Sequence, residues 1–166
     1  MDWAMNKPLL ALLTLAAFAA PAFGETIKLP DDSPYASITI PESWKPEKYD
    51  DGVECVSPDK GVYIAVEGID GDNVKGSVEE AIKYLKKKGV TVKAESQTTK
   101  DFKIGDLDAG EIMWDGKDED GDCIVSLTFV QISPKKGLMA IYWASPESEK
   151  KYQSALGKIV RSIKAL

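Results

Sequence analysis

The chain has 166 residues, with 27 acidic and 21 basic side chains and a formal net charge of −6. Histidine is absent, which excludes Ser-His-Asp and Cys-His catalysis as well as histidine-ligated zinc or haem. The acidic balance disfavours nucleic acid as a partner. A chain of this length has room for one domain.

Residues 1–24 have the organisation of a secretory signal peptide. A basic residue, Lys7, precedes an apolar run of Leu, Ala, Thr and Phe that is too short to span a bilayer. Small residues before the expected cut fit a signal peptidase. Two alternatives stay open: initiation at Met1 or Met5, and cleavage after Ala22 or Gly24. We therefore expect a periplasmic or secreted domain over residues 25–166, with no stable membrane span after cleavage.

The succession of elements predicts an α+β domain. In chain order, alternating apolar and polar residues predict strands at 37–41, 52–57 and 61–68, a helix, strands at 90–98, 107–114, 123–132 and 138–143, and a last helix. The first helix is predicted from the S-x-x-E capping box at Ser77 to Gly89. The second begins with Ser145 as its cap and Pro146 in its first turn. This order predicts a single domain with an antiparallel sheet of about six to seven strands and helices packed on it.

Export would place the two cysteines, Cys55 and Cys123, in an oxidising compartment, where a disulfide between them is permitted. Both alternate with apolar neighbours, so we expect both side chains to face inward. A bond would close a loop of about 69 residues and contribute roughly 4 kcal/mol. Two buried free thiols are the alternative. Redox catalysis is disfavoured because the chain has no C-x-x-C motif.

The most concentrated charge lies in the acidic stretch 115–122, which carries Asp115, Asp118, Asp120 and Asp122 between two predicted strands. Carboxylate oxygens are the ligands that calcium prefers, so these residues are candidate metal ligands. A solvated hairpin turn is the alternative, because self-repelling carboxylates suit an exposed turn. Beyond weakly bound calcium, we expect no cofactor.

Trp44 is the aromatic residue that we single out as a candidate partner surface. It follows a predicted strand in a loop, and loops carry binding residues more often than strands do. Trp114 and Trp143 end predicted strands, where large aromatics close a core or line the mouth of a pocket. Closure of the core is the alternative for Trp44 as well. The chain has no nucleotide-binding glycine motif and no G-x-S-x-G, so an enzyme is not expected.

The order of a strand, the segment Ile40-Pro41-Glu42-Ser43-Trp44, a hairpin, a helix, a long meander and a terminal amphipathic helix resembles the PsbP-like fold group. The resemblance covers nearly all of residues 25–166. It implies an α/β/α sandwich, with a central antiparallel sheet and helices on both faces, and a non-enzymatic role in binding or stabilising another protein. The metal sites of the photosynthetic members use histidine, which this chain lacks, so no ligand is transferred from them.

The sequence thus predicts an exported, non-enzymatic binding or accessory protein that acts through protein–protein contacts. Another envelope protein or a small ligand is the expected partner. The alternative is a periplasmic protein that binds calcium or a small ligand through the acidic hairpin 115–122.

Overall fold

The computed structural model describes residues 24–166, so the predicted signal peptide lies outside the described residues except for Gly24. The helices are α1 (Val74–Lys87) and α2 (Pro146–Arg161). The strands are β1 (Glu25–Leu29), β2 (Ala36–Ile40), β3 (Glu47–Tyr49), β4 (Gly52–Val56), β5 (Val62–Asp70), β6 (Thr91–Val92), β7 (Thr98–Ile104), β8 (Leu107–Asp118), β9 (Gly121–Ser133), β10 (Lys136–Ala144) and β11 (Lys164–Ala165). No helix in the described part of the chain is both long and apolar enough to cross a membrane.

The main sheet has eight strands in the order β3-β4-β5-β10-β9-β8-β6, and β7 also pairs with β8. All of its pairs are antiparallel. A second sheet of three strands, in the order β1-β2-β11, is formed by the two ends of the described chain. The predicted α+β class is confirmed, although the main sheet exceeds the expected six to seven strands because β3 and β7 were not recognised in the sequence.

Both faces of the main sheet are covered, which gives the domain two cores. Along β10, Leu138, Ala140 and Tyr142 belong to one core, and the alternate residues Met139 and Ile141 belong to the other. The first core contains residues of α2 and the small sheet, and the second contains residues of α1. Successive side chains of a strand point to opposite faces, so α1 and α2 lie on opposite sides of the sheet, as the α/β/α resemblance implies.

Helix α1 begins earlier than its capping box predicts. The cap is Asn73, whose side-chain oxygen accepts a hydrogen bond from the backbone N–H of Gly76 at 3.2 Å. Ser77 lies inside the first turn, where its hydroxyl donates to the backbone oxygen of Asn73. Asparagine is as good a cap as serine, and here it follows a two-residue turn after the end of β5. The predicted end is confirmed, since Gly89 has φ +80, the left-handed conformation that glycine adopts readily.

Only a short part of the predicted strand 90–98 is a strand: β6 ends at Val92, a 3-10 turn follows at Ala94–Ser96, and β7 begins at Thr98. The backbone N–H of Lys93 donates to the oxygen of Asp115, and the Ser96 hydroxyl accepts from the N–H of Asp115. These bonds hold the turn against β8, so β6 and β7 pair with successive parts of the same strand.

Candidate functional site

Trp44 does not form a partner surface. Its side chain is 3% exposed and packs edge-to-face on Tyr152 of α2, with ring centroids 5.4 Å apart. The chain makes a 3-10 turn at Glu42–Trp44 and leaves it through Lys45 in the left-handed conformation, which turns the indole inward. Trp44 as a partner surface is therefore not supported, and closure of the core describes its position.

The two cysteines are free and buried. Cys55 belongs to the core on the α2 side of the sheet, and Cys123 to the core on the α1 side. Their strands, β4 and β9, are separated by β5 and β10, which at normal strand spacing is about 14 Å, well beyond disulfide reach. Of the two alternatives that the sequence left open, two buried free thiols describe the structure and a Cys55–Cys123 disulfide does not.

The acidic stretch is mostly strand rather than loop. Strands β8 and β9 continue through it, and the turn consists of Glu119 and Asp120. A side-chain oxygen of Asp118 accepts from the N–H groups of Asp120 and Gly121. The described residues contain no group of three or more acidic or cysteine side chains that could hold a metal ion. The structure therefore gives no support to a calcium site at Asp115, Asp118, Asp120 and Asp122.

The tip of this hairpin instead borders a cavity of about 390 Å³, which we call the aromatic cleft. Its floor contains Tyr63 and Trp143, and Lys60 and Lys88 lie on its walls. The carboxylates on its rim are Asp118, Glu119, Asp120 and Asp122. Three parts of the chain that are distant in sequence thus meet there: the β4–β5 turn, the end of α1 and the β8–β9 hairpin.

The floor of the cleft is fixed by the pairing of β5 with β10, which places Tyr63 opposite Trp143. The two rings stack with centroids 4.2 Å apart and an interplanar angle of 27°. The Tyr63 hydroxyl donates to the Glu54 carboxylate and is also hydrogen-bonded to the Tyr84 hydroxyl of α1. Burial of the ring raises the pKa of the Tyr63 hydroxyl, and the hydrogen bond to Glu54 raises it further. The hydroxyl is therefore protonated at physiological pH.

The walls of the cleft carry charges of both signs. The Lys88 ammonium lies 5.4 Å from the Tyr63 ring centroid and 5.5 Å from that of Tyr84, within the range of cation–π attraction. Among the described residues, neither Lys60 nor Lys88 forms an ion pair with a carboxylate. The rim has four carboxylates against these two ammonium groups, so the lining carries a net negative charge and can meet charged groups of either sign.

Sequence reasoning did not identify Tyr63, which appeared as one residue of a predicted strand. Its position between Val62 and Ile64, which are buried on the opposite face of the sheet, is the feature that could have indicated a different environment for Tyr63. Trp143 was predicted to close a core or line a pocket mouth, and it lines the cleft. Trp114, by contrast, is 5% exposed and donates its indole N–H to Gln97.

The sequence matches no protein-family model and no curated protein. Its structure resembles that of cyanobacterial PsbP (CyanoP) from Synechocystis, with a TM-score of 0.61 and 7% identity over 93% of this chain and 99% of that one. The fold is therefore PsbP-like, as the resemblance in the sequence implied.

Two further solved structures share this fold. LpqN of Mycobacterium tuberculosis, described as involved in cell envelope biogenesis, has a TM-score of 0.54 and 12% identity over 85% of this chain and 90% of its own. A protein from Bacteroides thetaiotaomicron has a TM-score of 0.57 and 14% identity over 86% of this chain. This chain spans about half the length of the Bacteroides protein, 48%.

Proposed function

We propose that this protein is an exported, non-enzymatic binding protein that acts through protein–protein contacts, with the aromatic cleft as its contact surface. The observation that carries the proposal is the Tyr63–Trp143 stack, which lies at the floor of a cavity between charges of both signs. Aromatic side chains in a concave site are the usual anchors of binding energy. Charged walls add orientation and specificity.

The envelope is the proposed location of the partner. The apolar segment after Lys7 supports export, and LpqN, which shares the fold, is described as involved in cell envelope biogenesis. The absence of histidine from the sequence supports a role in binding rather than in catalysis. The proposed partner is another envelope protein that inserts a side chain over the aromatic floor.

A small ligand is the second candidate, favoured by the position of the acidic hairpin. The tip of the hairpin borders the cleft, whose volume of about 390 Å³ is within the range of small-molecule sites. A zwitterionic molecule would match the two ammonium groups and the facing carboxylates. Native mass spectrometry of the protein purified from its own host tests this candidate, because a bound molecule would appear as added mass that Lys88→Glu removes.

Site-specific photo-crosslinking tests the protein–protein proposal. A photoreactive residue at Lys60 in the cleft should crosslink to one envelope protein, whereas the same residue at Lys158, about 20 Å along α2 from its start, should not. Both positions are exposed. Lys88→Glu should abolish the crosslink from position 60, and the matched reversal Lys158→Glu should leave it intact. Equal crosslinking from both positions, or a crosslink insensitive to Lys88→Glu, would refute the proposal.

A further inference from the structure

A second cavity, of about 400 Å³, lies on the same face of the sheet at the other end of α1. We call it the glycine-floored cavity. Gly110 of β8 and Gly137 of β10 form its floor, and Ile69, Val74 and Phe129 form apolar walls. Val74, the first residue of α1, is 40% exposed and is among the few large apolar side chains left open to solvent in the described chain.

Gly110 is a glycine that the fold does not require. A Cβ atom built on it would have the Asp101 carboxylate at 3.4 Å and the Lys100 backbone oxygen at 3.9 Å as its nearest neighbours, which is ordinary van der Waals contact. Gly116 of the same strand differs, because a Cβ there would lie 2.6 Å from the backbone oxygen of Thr91. Glycine weakens a strand interior and often marks a place where a ligand approaches the backbone. At Gly110 the missing side chain leaves open the space that the cavity occupies.

The charged side chains that line this cavity are all acidic. Its charged side chains are Asp101 and Asp108, and no lysine or arginine lines it. Asp108 is already paired with Lys103 at 2.6 Å. Asp101 forms no ion pair with any described residue, and its carboxylate lies over the Gly110 floor. One carboxylate is therefore available beside an apolar surface.

From this arrangement we propose that the glycine-floored cavity binds a small apolar molecule that carries one ammonium group. The apolar body would lie on Gly110 between Val74 and Phe129, and the ammonium would pair with Asp101. Asp101 is exposed, but an unpaired carboxylate at the edge of the cavity favours a cation over an anion of the same shape, and the apolar walls supply the burial. This site is separate from the aromatic cleft, so the inference is independent of the proposed function.

Two-dimensional NMR of the isotope-labelled protein, titrated with phenethylamine, tests the inference. We expect saturable shifts at the amides of Ile69, Gly110 and Phe129, weaker binding of phenethyl alcohol, and none of phenylacetate at the same concentration. Phenylacetate that binds as tightly as the amine would overturn the proposal. So would an amine that gives no saturable shift at millimolar concentration, or shifts confined to the aromatic cleft.

Variants separate binding from folding. Gly110→Val fills the floor and should weaken amine binding by about tenfold or more, while Gly110→Ala adds one methyl group and should weaken it less without lowering the melting temperature. Asp101→Asn should remove the preference for the amine over the alcohol. The matched control Asp106→Asn, in the β7–β8 turn outside the cavity, should retain it. Unchanged amine affinity in both Gly110→Ala and Asp101→Asn would overturn the proposal even if Gly110→Val failed to fold.

Discussion

Replacing Trp44 with alanine should destabilise the domain by about 3–5 kcal/mol, the usual cost of removing a large aromatic side chain from a core. The indole is 3% exposed and meets Tyr152 edge-to-face, with ring centroids 5.4 Å apart. Such a pair is worth about 0.5–1.5 kcal/mol beyond the buried area. Since a domain is stable by only about 5–15 kcal/mol, this loss is a large part of the total free energy of unfolding.

Urea unfolding followed by the fluorescence of Trp114 and Trp143 measures this cost. The midpoint should fall at an unchanged m-value, and Trp44→Phe should recover most of the loss because it keeps an aromatic ring in the core. A double-mutant cycle with Tyr152→Leu isolates the ring–ring term. A loss below about 0.5 kcal/mol for Trp44→Ala, the range of surface substitutions, would refute the core position and restore Trp44 as a candidate partner surface.

Three further predictions concern the helix start, the thiols and the acidic hairpin. Asn73→Ala should cost about 1 kcal/mol and Ser77→Ala less than about 0.5 kcal/mol in thermal unfolding; a larger cost at Ser77 would contradict the observed cap. Cys55 and Cys123 should both react with a chromophoric thiol reagent only after unfolding, without reductant, and fewer than two thiols would contradict the free state. Burial raises the pKa of Cys55 to about 12 and of Cys123 to about 11, from 9.0, so the unfolded chain ionises first and the free energy of unfolding should fall as the pH rises above 9.0. Substituting both cysteines with serine should reduce that fall. Calcium titration should give no saturable heat, because the described residues form no cluster of metal ligands; saturable heat that Asp118→Asn removes would contradict this prediction.

The elements that could be predicted from the sequence are those with a long, uniform pattern. The core strands β5, β9 and β10 are long segments rich in apolar residues, and α2 has both its serine cap and its proline in place. Short edge strands such as β3 and β11 have three and two residues, too few for any periodicity. Their pairing depends on neighbours supplied by distant parts of the chain.

The errors at the candidate sites have a common physical cause. The sequence pattern correctly predicts that the side chains of Cys55 and Cys123 face inward. Because the main sheet is covered on both faces, however, the domain has two cores, and the pattern along one strand does not determine which core a side chain joins. The aromatic cleft was missed for a similar reason. Tyr63 and Trp143 meet through the register of β5 against β10, and nothing local in either strand determines that register.

The two cavities follow from a mismatch of lengths on one face of the sheet. Helix α1 has 14 residues and is about 21 Å long, whereas β9 beneath it has 13 residues and extends about 43 Å. One helix therefore covers the middle of this face and leaves an opening near each of its ends, at Val74 and at Lys88. The other face has no such shortage, because α2 shares it with the small sheet. The lengths of the helix and the strand explain why there are two openings, but they do not explain which residues line them. The aromatic cleft has a floor of stacked aromatic rings, and the glycine-floored cavity has a glycine that the backbone does not require. Truncation of a side chain that the helix buries against the sheet, as in Leu85→Ala, should therefore cost stability, whereas Gly110→Ala should cost none and act on binding alone.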